Sequence, residues 1–161
     1  MADPIQTAAE ALEATAMPRA HAVHTDPEAR CAENEVLPGK AGQKPVDRKS
    51  PAEWAYQRLA LYIRTFEEQL DSDHEVAMGF VGGASGVMRI EGMGYYDPDI
   101  VTFYGSDPAG ARTQLIQHVG QLNVMLRAIA KPEHADKPSR IGFRLTADLE
   151  DDGADVSPPA T

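Results

Sequence analysis

Between Glu75 and Ile129 the chain carries glycine-interrupted apolar runs around a Tyr95-Tyr96-Asp97-Pro98-Asp99 corner, and nine of its thirteen glycines lie from Gly79 to Gly120. Glycine at that density marks a backbone that bends sharply or is closely approached, so this stretch sets the layout that the rest of the chain must fit. Glu75 to Val81 reads as a strand with Val76, Met78 and Phe80 on one side and the small Ala77, Gly79 and Val81 on the other. The run Gly82 to Gly86 then turns the chain into Val87 to Met93, where Met88 and Ile90 alternate with Arg89 and Glu91, which predicts a hairpin. Gly92-Met93-Gly94 interrupts this second strand as a bulge would. Asp97-Pro98-Asp99 forms a turn, and Ile100 to Tyr104 is a third strand.

Asp107-Pro108 pairs a capping side chain with a first-turn proline, and Leu115, Val119, Leu122, Leu126 and Ile129 fall at helical spacing. This predicts a second helix running to about Ala130 and stopped by Lys131-Pro132. Arg140 to Thr146 alternates, with Ile141, Phe143 and Leu145 inward and Arg144 outward, as a last strand. The first helix starts at Ser50-Pro51-Ala52-Glu53, an N-cap, a first-turn proline and a reciprocal carboxylate. Its apolar face is Ala52, Ala55, Tyr56, Leu59, Tyr62, Ile63, Phe66 and Leu70, with Gln57, Arg64, Glu67 and Glu68 turned away. Trp54 and Leu61 fall on another side, either over a neighbouring loop or as an exposed contact stripe.

The expected fold class is α+β, a two-layer α/β sandwich in the order α-β-β-β-α-β, with strand order 4-1-2-3 and both helices on one face. The other face would carry Ala77, Gly79, Val81, Arg89, Glu91, Thr102, Tyr104 and Arg144. One domain, 50–146, lies between a disordered N-terminal region, 1–49, and a disordered acidic tail, 147–161. Both flanks are poor in large apolar side chains and cannot offset the entropy of ordering a chain. A short, weak helix from Asp3 to Leu12 is the one exception.

The net charge is −10, and the last fifteen residues carry five acids and no base. That balance disfavours nucleic acid and anionic membranes. No apolar stretch approaches the roughly 20 residues of a membrane span, and no basic start leads into an apolar block. The expectation is a cytoplasmic protein. Cys31, the one cysteine, cannot form an intramolecular disulfide, and no His/Cys cluster at metal-ligand spacing accompanies it.

Trp54-Ala55-Tyr56, the run from Gly92 to Asp99, and the run from Gln117 to Asn123 resemble an uncharacterised bacterial domain family, a domain of unknown function. The resemblance implies one domain with ragged ends, and it transfers no catalytic residue. The α-β-β-β-α order also resembles double-stranded-RNA-binding domains. Those need basic residues at the start of the second helix, where this chain has Asp107-Pro108 and only Arg112.

The candidate chemistry is sparse. Gly82 to Gly86 leads into a strand rather than a helix, unlike a phosphate loop. Asp97 and Asp99 suit a turn better than a cation site, since no third acidic ligand follows. His118, beside Gln114, Gln117 and Gln121, is a candidate general base with no Ser or Cys nucleophile to activate. Tyr95, Tyr96, Asp97, Asp99 and His118 are therefore the ligand-binding candidates, with no cofactor, metal or catalytic residue assigned. Gly120 inside a helix costs about 1 kcal/mol relative to alanine, which suggests close packing there. Trp54, Leu61, Ile116, Gly120 and Val124 are the interface candidates. Two functions follow: a non-enzymatic, self-associating interaction module that forms a homo-oligomer, or a small-molecule-binding protein or enzyme at the glycine-rich edge.

Overall fold

The computed structural model describes residues 19–80 and 86–150. Three helices, α1 (Gly39–Gln43), α2 (Pro51–Glu68) and α3 (Gly142–Glu150), accompany five strands. The strands are β1 (His74–Phe80), β2 (Val87–Tyr96), β3 (Ile100–Ser106), β4 (Arg112–His118) and β5 (Val124–Ala130). They form one antiparallel sheet in the order β4-β3-β2-β1-β5. The fold is mixed α+β, as the sequence predicts. α2 begins where expected: Ser50 Oγ accepts the Glu53 N–H at 3.0 Å, with proline in the first turn.

Two elements depart from expectation. The predicted helix from Asp107 to Ala130 is instead β4, a short 3₁₀ turn (Val119–Gln121) and β5. Asp107 does not open a helix: its Oδ1 and its backbone N–H both bond Ala111, closing a tight turn between β3 and β4. The β-branched Thr113, Ile116, Val124 and Ile129 suit strands, and Gly120 sits in the link rather than in a helix. Leu115, Val119, Leu122 and Leu126 still pack against the core, so four of the five stripe residues are apolar contacts on different elements. The predicted last strand, Arg140 to Thr146, is instead the lead-in and first half of α3. There Ile141, Leu145 and Leu149 are buried at helical spacing while Phe143 is exposed. The neighbour of β1 is therefore β5, and no strand pair among the described residues is parallel.

Val76, Met78, Met88, Ile90, Val101 and Phe103 line one sheet face and join Tyr56, Ala60, Ile63, Ile141, Leu145 and Leu149 in a single core. Replacing the expected strand by α3 also changes α2. Gln57 and Glu67, expected to face water, are buried. Both Glu67 oxygens accept backbone N–H groups at the start of α3, Ile141 at 3.1 Å and Gly142 at 2.9 Å. The Glu67 carboxyl is pushed above its ordinary value by burial, against the pull of those two N–H groups and Arg140.

Order also begins before Ser50. Leu37 and Ala41 join the core, Arg58 donates to the carbonyls of Ala32 and Glu35, and Tyr62 donates to Glu33. The expected boundary at 49 is corrected for this segment, while residues 1–18 and 151–161 lie outside the described residues. So do 81–85 in the predicted hairpin turn, though β1 and β2 pair antiparallel as a hairpin requires. Among the described residues no helix is long and apolar enough to cross a membrane.

β4 and β5 are consecutive strands at opposite edges of the sheet. On a flat sheet four spacings of about 4.8 Å separate the edges. β4 also ends beside Ile100 while β5 starts beside Phe80, at opposite ends of the sheet, so the gap would exceed about 30 Å. The chain from His118 to Val124 reaches at most about 21 Å. The sheet must therefore curl, and it curls toward the helices, because Leu122 packs against the core and lines one hollow with Leu59, Tyr62 and Ile63 of α2.

Candidate functional site

The Asp97-Pro98-Asp99 turn joins β2 to β3, and its Asp97–Pro98 bond is cis. Asp97 accepts the Ser50 hydroxyl, and the Pro98 carbonyl accepts the Ala52 N–H at 2.9 Å. Both contacts hold the first turn of α2 against the sheet, so Asp97 belongs to helix anchoring.

Asp99 and His118 meet, with Oδ2 and Nε2 3.1 Å apart, because Ile100 and His118 are register partners across β3 and β4. His118 Nδ1 accepts the Gly120 N–H at 2.9 Å, and its own backbone N–H donates to Gln121 Oε1. Neutral His118 protonated on Nε2 satisfies both contacts, with its one lone pair already given to Gly120. Both ring nitrogens are engaged in this arrangement. The pair fixes the turn at the end of β4.

The two tyrosines part company. Tyr95 faces the helices, its ring centroid 5.2 Å from that of Tyr56. Tyr96 emerges on the uncovered face in a row with Ile100 and His118. The five candidates thus occupy three places: Asp97 at the helix start, Tyr95 on the core side, and Tyr96 with the Asp99–His118 pair at one end of the uncovered face.

Among the interface candidates, Trp54 is partly buried with the Lys49 ammonium 4.8 Å from its ring centroid, the neighbouring-loop arrangement weighed above. Leu61 is buried beside Leu37 and Ala41 in the core, and Val124 packs against that core. Gly120 is exposed in the 3₁₀ turn, so the close helix packing inferred for it is corrected. Ile116 alone of the five is a large apolar side chain standing out from the surface.

The face turned from the helices carries Ala77, Gly79, Arg89, Thr102 and Tyr104 as expected, though Ala77 is fully buried there; Val81 lies outside the described residues, and β4 and β5 add Gln114, Ile116, Met125 and Arg127. Arg144, expected there, is on α3 instead. Tyr96, Tyr104, Ile116 and Met125 are exposed by 77 %, 46 %, 62 % and 51 %. Sequence reasoning passed over what Tyr104 does: its ring lies over Gly92 and Gly94, with Cδ2 3.4 Å from where a Gly92 Cβ would stand. An aromatic ring across two strand glycines supplies the packing those residues lack. The signal was present as Gly92-Met93-Gly94 opposite an aromatic strand.

A family of unknown function (DUF6173) matches residues 44–144. No curated protein and no solved structure matches the chain.

Proposed function

The chain belongs to the DUF6173 family of unknown function, and on that premise we propose that it is a non-enzymatic interaction module that pairs with a second copy through the uncovered face of its sheet. The observation that carries this reading is the exposure of Tyr96, Tyr104 and Ile116 on one half of that face, formed by β2, β3 and β4. Contiguous exposed apolar surface of this kind marks interaction sites, and one patch meeting itself gives a two-fold dimer. Strand β4 supports the reading, since its free edge carries no lysine or proline to deter pairing. A bacterial cytoplasmic setting is part of the same proposal and rests on the family resemblance.

The alternative, ligand binding or catalysis by Tyr95, Tyr96, Asp97, Asp99 and His118, draws less support, because Asp97, Tyr95 and the Asp99–His118 pair lie in separate places and both imidazole nitrogens are engaged.

Light scattering is expected to give twice the monomer mass at high concentration. Ile116→Glu, which puts a charge in the middle of the patch, should weaken the dimer by about 30-fold or more while leaving the melting temperature of the monomer unchanged. A wild-type protein that stays monomeric at every concentration overturns the proposal.

A further inference from the structure

Strand β2 is only partly paired on its β1 side. Register partners there end at Ala77 and Arg89, while on the other side β3 accompanies β2 as far as Tyr96. From Glu91 to Gly94 β2 has no register partner in β1. Alternate residues of an extended chain point both N–H and C=O to the same side, so part of this stretch directs backbone donors and acceptors away from β3.

Two adjoining hollows flank this stretch of β2 on its helix side. The larger, about 370 Å³, lies between Glu91, Gly92 and Met93 and the wall of Ile141, Arg144 and Asp148. The smaller, about 190 Å³, is lined by Gly94, Leu149 and Gln57, and the two share Tyr56 and Asp148. Gln57 is 1 % exposed, and its Oε1 has no hydrogen-bond partner among the described residues. A buried amide oxygen without a donor is costly, so this wall favours an incoming N–H. Arg144 is exposed and takes part in no ion pair among the described residues.

We infer that this groove is a second interaction surface, which takes an extended peptide segment of a partner protein as an added strand beside Glu91–Gly94, with a peptide carboxylate at Arg144 and a peptide N–H on Gln57 Oε1. Backbone groups in a row recognise another extended backbone, which a compact metabolite cannot supply. The surface is separate from the self-association face, since the groove lies on the helix side of β2.

The test pans a displayed library of random linear heptapeptides on the full-length protein and, in parallel, on Arg144→Glu. Sequences sharing an acidic residue should be enriched on the wild type over the variant. Titrated as a synthetic peptide into ¹⁵N-labelled protein, the best of them should shift the Gly92 and Gly94 amide resonances. Its affinity should fall by about tenfold in Arg144→Glu, and also in Gln57→Leu, whose fold is checked by its melting curve. No enrichment over the variant, or shifts confined to Ile116 and Tyr104, overturns the inference.

Discussion

Gly105→Ala is expected to lower stability by about 3 kcal/mol or more and the melting temperature by on the order of 10 °C. A Cβ on Gly105 would stand 1.9 Å from the Arg89 carbonyl oxygen and 2.7 Å from Met88 Cγ. A side-chain end can swing aside; a carbonyl in a paired strand cannot. Arg89 is register partner to Ala77 in β1 and Ser106 in β3, and Met88 is buried in the core. Relief therefore requires β2 and β3 to separate where the register already shifts between Ile90 and Gly92. Gly79→Ala is the control, because its new Cβ would meet Met125 Cβ at 3.6 Å and Val87 Cγ1 at 3.8 Å, ordinary contacts. That variant should stay within about 0.5 kcal/mol of wild type. Thermal melts in which the two variants shift equally would contradict this account of the β2–β3 junction.

Glu67→Ala is expected to cost about 2–4 kcal/mol, because it leaves the Ile141 and Gly142 N–H groups buried without acceptors. Glu67→Gln, which keeps one acceptor oxygen, should lose roughly half as much. The loss also depends on pH, with a definite sign. Burial raises the folded-state pKa of Glu67 above the ordinary value of 4.5, so the folded protein holds this proton more tightly than the unfolded chain does. The contribution from that proton is fully present below the ordinary value and is lost as pH rises through the folded one. Denaturant titrations should therefore find a larger difference between wild type and Glu67→Ala near the acid end of the stable range than at neutral pH. A difference that grows toward neutral pH would mean that the two N–H groups outweigh burial.

What the sequence revealed and what it hid have identifiable causes. The start of α2 was legible because the Ser50 cap, Pro51 and Glu53 agree with one another. The first three strands were legible because alternation and turn residues coincide. The segment after Asp107 was ambiguous: an Asp-Pro pair begins a turn as readily as a helix, and Leu115, Val119, Leu122 and Leu126 keep helical spacing while serving two strands and the link between them. In α3 the deciding residue, Leu149, lies beyond the boundary drawn at 146, so alternation from Ile141 to Leu145 looked complete. The segment from Ala32 to Lys49 was hidden for a different reason. Much of its attachment runs through hydrogen bonds from Arg58 and Tyr62, which leave no apolar period to read. Of the candidate site, Asp99 and His118 were both singled out, but their contact follows from the β3–β4 register, which the predicted helix concealed.

The short tether between β4 and β5 has an effect on assembly. By drawing the outer strands toward α2 it makes the exposed side convex, and two convex bodies touch over a small zone. A dimer of the kind proposed would be held to a patch around Ile116 and Tyr104 and would fall in the range of transient, dilution-sensitive complexes rather than permanent ones.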